Sequence, residues 1–239
     1  MTTAPAHAAP AHAAPARLAA VLRPEPGNSA TADLLRARGV AVVQLPLFNI
    51  VASSWHSPPP ASYDALLLTS ANAVRLGGAE LAKLRALPVL AVGKATARAA
   101  REHGFVVAIT GEQDAAALVD KAQAGGFHRL LHLRGADSAL ATGGIITGSI
   151  DVYTSVAQAV AADALASVAG GVVLVHSPRA GQRFAQLVDQ TMAVERRTVR
   201  LAAISPAAAA AAGAGWGRVA TAALPNDSAL IDAACTLLD

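Results

Sequence analysis

Short apolar runs, each stopped by a hydroxyl, proline or glycine, alternate with helical spacing along this chain. Residues 65–68 (Ala-Leu-Leu-Leu) end at Thr69-Ser70, and Asn72-Ala73-Val74-Arg75 then opens a helical pattern. An unbroken apolar run of that length predicts a strand buried on both faces, and a hydroxyl just before a helix predicts an N-cap. The order is written again at 172–175 (VVLV), with His176-Ser177-Pro178 in the turn and a helix from Arg179. Each copy leads to a second strand and turn, 88–92 into Gly93-Lys94-Ala95-Thr96 and 199–204 into Ser205-Pro206. A third pair sets 110–114 before a helix at 115–122 against 224–228 before a helix at 229–238. Three pairs in one order predict two related α/β units.

A fourth pair fixes how the units thread. The strand at 18–22 ends in Leu22-Arg23-Pro24, and the strand at 129–133 ends in Leu133-Arg134-Gly135. The first copy therefore lies at the start of the chain, far from its companions at 172–238. Residues 17–47 plus 157–239 are expected to form one discontinuous domain, with 54–149 inserted as a second. Residues 48–53 and 150–156 run out and back, which predicts a two-stranded antiparallel linker and a ligand cleft between the lobes. Further strands are expected at 40–47 and 150–156, and a short helix at 162–167. A helix capped by Asn28 or Ser29 should run through Arg38 to Gly39. Residues 136–148 are too glycine-rich for a good helix. Residues 1–16, an Ala/Pro/His repeat, read as a disordered tail and lack the apolar core of a secretory signal.

Composition narrows the class. Hydrophobic residues reach 54% of 239, but alanine supplies much of that. No apolar run approaches the roughly 20 residues of a membrane span, so a soluble protein is expected. Nineteen basic against 16 acidic residues suit an anionic ligand, while no basic stripe with interleaved aromatics suggests nucleic acid. All but three of the basic residues (Lys83, Lys94, Lys121) are arginine. The lone Cys235 sits in a helical apolar pattern and reads as core.

Familiar catalytic signatures are missing. A phosphate loop around Gly93-Lys94 would want glycine where Pro88 stands, and residues 213–217 follow a helix where a dinucleotide fingerprint needs a strand. The histidines are scattered, with only His176 beside a serine. The chain does have hydroxyls at strand ends: Thr69, Ser70, Thr96, Ser177 and Ser205. As a set they are helix caps, and beside free helix amides they also suit a polyanion. Tyr153, in the returning linker strand, reads as half-buried packing or as a proton donor.

Taken in order, Leu22-Arg23-Pro24, Thr69-Ser70-Ala71-Asn72-Ala73-Val74, Val92-Gly93-Lys94-Ala95-Thr96, Leu133-Arg134-Gly135, Val152-Tyr153, His176-Ser177-Pro178, Ile204-Ser205-Pro206 and Leu224-Pro225 resemble the uroporphyrinogen III synthases. The resemblance implies two flavodoxin-like parallel-sheet lobes joined by a two-stranded antiparallel linker. It implies a lyase that cyclises hydroxymethylbilane with loss of water and inversion of the last ring, with no metal or organic cofactor. Tyr153 would assist departure of the hydroxyl. Ser70, Thr96 and Ser177, with neighbouring Thr69, Asn72, Gly93 and Ser205, would receive acetate and propionate groups, and Arg23 and Arg134 would pair with those carboxylates or brace their turns. The implied partner is a linear tetrapyrrole polycarboxylate, met by a cytoplasmic monomer in transient contact with the bilane-producing enzyme, with no nucleic acid and no membrane.

The chain departs from the family pattern in three places. Residues 207–212 are all alanine where threonines are usual, Ser205 stands where glycine is usual, and 136–148 is shorter and more glycine-rich than the usual helix and lacks its arginine. An inactive paralogue, and a bilobed binding protein using the same hinge without chemistry, are the alternatives.

Overall fold

The computed structural model describes residues 17–111, 114–138 and 140–239. The expected N-terminal tail, with His7 and His12, lies outside them. In chain order the elements are β1 (Leu18–Val21), α1 (Gly27–Arg36), β2 (Ala41–Gln44), β3 (Phe48–Ala52), β4 (Ala65–Leu68), α2 (Ala71–Arg75), α3 (Gly78–Ala82), β5 (Val89–Val92), α4 (Lys94–Glu102) and β6 (Val107–Gly111). There follow α5 (Ala115–Ala124), β7 (Leu130–Gly135), β8 (Ile146–Ala157), α6 (Ala162–Ala166), β9 (Val172–Val175), α7 (Pro178–Thr191), β10 (Arg200–Ala203), α8 (Pro206–Ala212), β11 (Arg218–Thr221) and α9 (Asp227–Leu238).

The chain divides into two compact units. One takes the described part of Met1–Leu47 with Gln158–Asp239; the other is Phe48–Ala157. The first unit holds a five-stranded, wholly parallel sheet in the order β11-β10-β9-β1-β2. The second holds β3-β8-β7-β4-β5-β6, parallel except that β3 runs antiparallel to β8. When β9 is set on β4, the two strand orders coincide: β9, β10, β11, β1, β2 answer to β4, β5, β6, β7, β8. The first unit is thus the second's arrangement circularly permuted, which is why its Arg23 copy stands at the other end of the chain.

Period-2 alternation distributes the apolar runs to two faces. Leu66, Leu68, Leu131 and Leu133 pack with Val74, Leu81, Ala97 and Ala100 of α2–α4. Their neighbours Ala65, Leu67 and Leu130 face the other way and join Leu118 and Ala122 of α5. In the first unit Ala19, Val21, Val172 and Leu174 pack with Leu35 of α1 and with Leu230, Ile231, Ala234 and Leu237 of α9. No helix among the described residues is long and apolar enough to cross a membrane.

Several local expectations change. α1 starts after Pro26 with no side-chain cap. Asn28 is instead fully buried, donating its amide to the carbonyls of Val21 (2.8 Å) and Arg23 (2.7 Å), while Ser29 bonds Glu25. An amide so placed ties α1 to the end of β1, and tertiary bonding overrides the capping preference. The strand expected at 40–47 stops at Gln44, and β8 begins at Ile146 rather than at 150. β6, which continues the apolar run at 105–109, and β11, which opens on the polar Arg218, are not among the expected strands; they are the outer strands of their sheets, and β11 is largely exposed.

Candidate functional site

Parallel strands deliver their C-terminal ends, and the N-termini of the helices that follow, to one edge of a sheet. In the second unit Leu68 is level with Leu133 and with Ala91, so Thr69 and Ser70 stand beside Arg134 and Gly93. Gly135 is level with Tyr153 on β8, which pairs on its other side with Ala52 of β3. Thr69, Ser70, Asn72, Gly93, Arg134 and Tyr153 therefore share one edge. Arg23, Ser177 and Ser205 share the corresponding edge of the first unit's sheet. Thr96 does not join its neighbours at the open edge; only 4% exposed, it is buried in α4 with Ala97, Ala99 and Ala100.

Tyr153 is held by its strand neighbour. A Cβ on Gly135 would come within 2.5 Å of Tyr153 Cε2 and 3.0 Å of its hydroxyl oxygen, so the phenol lies across a position that only glycine leaves open. The ring is half-buried against the core that contains Leu133 and Val152.

The serines are caps, and the capping geometry leaves them chemically competent. Ser70 Oγ accepts from Asn72 N, Ser177 Oγ from Ala180 N and Ser205 Oγ from Ala208 N, each at 3.2 Å. A hydroxyl that accepts from a helix amide still has its own proton to donate. Beside Ser70, Gly93 takes φ +84° to turn the chain into α4, whose first N–H groups lack intrahelical acceptors. Asn72 offers Oδ1 to Arg75 across a long 3.5 Å. Thr69 is no cap: its Oγ1 lies 3.1 Å from Nε2 of His132.

Both strand-end arginines are committed. Arg23 Nη1 donates to both carboxylate oxygens of Asp227, at 2.9 and 2.8 Å. Arg134 donates from Nε to Asp151 Oδ1 (2.8 Å) and from Nη1 to the Leu140 carbonyl (3.2 Å). A buried imidazole accompanies each pair. His176, its side chain 7% exposed, places Nε2 3.4 Å from Asp227 Oδ1, and His132 is fully buried. Burial is the main cause that lowers both imidazole pKa values, with the nearby arginine charge adding to it; His132 is pushed down to about 4, against the pull of Asp151. His176 and Arg23 together hold the Asp227 carboxyl below the usual carboxylate range. Each unit thus closes one sheet edge with a neutral imidazole beside an arginine–carboxylate pair.

Asp227, Asp151 and His132 are the residues that sequence reasoning passed over. Arg23 and Asp227 are 204 positions apart, so nothing local marks their pairing. The legible signal for Asp227 was its place after the cap Asn226, whose Oδ1 accepts from Ala229 N. Among the described residues no group of three or more His, Cys, Asp or Glu side chains could hold a metal ion.

A family model described as Uroporphyrinogen-III synthase HemD matches residues 29–232. The fold is similar to that of uroporphyrinogen-III synthetase from Helicobacter pylori, at 15% identity over 92% of this chain and 99% of that one, with a TM-score of 0.62. A mutant uroporphyrinogen III synthase from the extremely thermophilic bacterium Thermus thermophilus aligns at 15% identity over 90% of this chain and 96% of that one, with a TM-score of 0.49. No curated protein sequence matches significantly.

Proposed function

This chain belongs to the uroporphyrinogen-III synthase family, and from that premise we propose how its residues carry out the cyclisation of hydroxymethylbilane to uroporphyrinogen III. The family-model match across 29–232 is the observation that carries the assignment. It runs from Ser29 in α1 into α9 and so spans nearly all of the paired motifs.

The reaction removes a hydroxyl as water, leaving an azafulvene cation. The far pyrrole attacks through its substituted carbon, and the resulting spiro intermediate fragments and recloses with that ring inverted. Tyr153 is the proton donor for the departing hydroxyl; its phenol is pinned over Gly135 at the edge where the strand ends collect. Hydroxyl donors and helix amides suited to the carboxylates of the bilane are, taken unit by unit, Thr69, Ser70, Asn72 and the amides after Gly93 in the second and Ser177 and Ser205 in the first. Each serine already accepts from its own helix, which leaves its hydroxyl proton to donate. Arg23 and Arg134 support these edges through Asp227 and Asp151 rather than meeting the substrate as free cations. Neutral donors suit a cationic intermediate, since they hold the carboxylates without adding positive charge beside the azafulvene. In this reading the two units are flavodoxin-like lobes, and β3 with β8 is the antiparallel linker between them. Thr96 contributes through its backbone N–H, since its side chain is packed away.

The test is direct. Purified protein added to freshly generated hydroxymethylbilane, with the products oxidised and the isomers resolved chromatographically, should yield mainly the type III isomer. Type I alone, formed at the spontaneous rate, would overturn the assignment and return the chain to a binding role.

A further inference from the structure

His132 is a costly residue where it stands. It lies in the middle of β7, level with Leu67 of β4 and Ser149 of β8, and is fully buried. Among the described residues its Nδ1 has no hydrogen-bond partner. A leucine would fill the same place without a stranded polar atom. The other sheet shows that the fold does not demand an imidazole there: with β9 set on β4 and β1 on β7, the position equivalent to His132 is Val21, and that of Thr69 is His176. The imidazole–hydroxyl contact is therefore a feature of one edge only.

The hydrogen-bond inventory sets its direction. A neutral imidazole carries one N–H and one bare nitrogen. Placing the proton on Nδ1 would bury an orphaned N–H, the rarest kind of unsatisfied group; placing it on Nε2 lets it donate to Thr69 Oγ1 at 3.1 Å. Thr69 then has its acceptor role filled from below and keeps its own proton for the open edge, where the residue is partly exposed. The helix amides do the same for Ser70, Ser177 and Ser205; Thr69 caps no helix and takes the bond from a strand side chain instead.

We propose that His132 is a positioning residue, which fixes the Thr69 hydroxyl as an outward donor to a carboxylate of the bilane. This rests on the synthase reading above. The role is binding rather than chemistry, so its signature is a split between KM and kcat.

Four variants test it: Thr69→Val, His132→Leu, the double variant, and His132→Gln, whose amide keeps a donor near the position of Nε2. Thr69→Val and His132→Leu should each raise KM for hydroxymethylbilane about tenfold, the scale of one hydrogen bond to a charged group, with kcat within about twofold. The double variant should be no worse than Thr69→Val, and His132→Gln should recover most of the loss. An unchanged KM in His132→Leu, or a double variant whose losses multiply, overturns the proposal while type III product from the unmodified protein leaves the synthase assignment standing. Type I product alone from the unmodified protein overturns both. Thr69→Val keeps the test decisive if His132→Leu folds poorly, because an unchanged KM there removes the donor that His132 is held to position.

Discussion

Tyr153 and Gly135 form a pair in which the small residue decides what the large one can do. In the acid role proposed for Tyr153, the phenol is carried by a ring that lies where a Cβ on Gly135 would be, 2.5 Å from Cε2. Tyr153→Phe should lower kcat by roughly 10²-fold or somewhat more, the usual worth of a general acid, without abolishing ring closure or shifting the melting temperature. Gly135→Ala should produce a comparable kcat deficit with the tyrosine intact. It should also cost about 1–3 kcal/mol of stability in urea unfolding, since the ring has to leave a packed site. A Gly135→Ala protein with normal turnover would show that the ring's seat on Gly135 is irrelevant to catalysis. Tyr153 was legible in the sequence as one of two tyrosines. Gly135 was legible only as a turn, because its role depends on which residue β8 brings level with it.

Helices α7 and α8 show the same dependence at the scale of elements. Ser177-Pro178 reads directly as a cap with proline at the first helical position, and Ser177 Oγ does accept from Ala180 N. Ser177→Ala should cost about 1 kcal/mol in urea unfolding, together with a rise in KM if its proton also serves the substrate. The alanine run of α8, by contrast, looked like a loss of threonines. At Ala208 and Ala212 the physical reason lies in α7: a Cβ on Gly181 would come 2.8 Å from the Ala208 carbonyl and 3.2 Å from Ala212 Cβ. The two helices approach closely enough that Ala208 and Ala212, both fully buried, admit nothing larger. Gly181→Ala should therefore destabilise the protein by about 1–3 kcal/mol even though alanine is the better helix former. A gain in stability would show that the helices can separate at little cost.

At the scale of the whole molecule, the buried imidazoles set its response to acid. His132 has its pKa pushed down to about 4 from an ordinary value of 6.5. Between those values the unfolded chain binds a proton that the native protein excludes, so stability falls as pH drops from about 6.5 to about 4. The loss from His132 alone is on the order of 3 kcal/mol, and the lowered pKa of His176 adds in the same direction. Asp227, lowered by its His176 contact and by Arg23, is stabilising while ionised and gives that up only further into acid. Urea unfolding followed across this range should show the decline beginning near about pH 6.5, well above carboxylate titration, and His132→Leu should flatten it. A profile level down to about pH 4.5 in the unmodified protein would mean that both imidazoles charge freely in the native state.

The apolar runs, their hydroxyl stops and their repetition determined by themselves that this is an α/β chain of two related units, one built from both ends of the sequence. They did so because strand burial and helix capping are local, and because a repeated order of local signals survives circular permutation. The family motifs were local as well, which is why Thr69-Ser70, His176-Ser177 and Val152-Tyr153 could be named before any fold was in view. Only tertiary structure decided the pairings that give those residues their roles. Arg23 met Asp227 and Arg134 met Asp151, pairings that suit the bracing alternative of the two roles expected for them. Thr96 went into the packing of α4, and Asn28 left the cap for the end of β1. His132 turned from scattered core histidine into the partner of Thr69. The edge strands β6 and β11 also waited for the fold, since a short apolar run such as 105–109 does not by itself distinguish strand from helix and β11 is largely exposed. In each case the deciding partner comes from another strand or helix, and distance along the chain hides what register and packing bring into hydrogen-bond range.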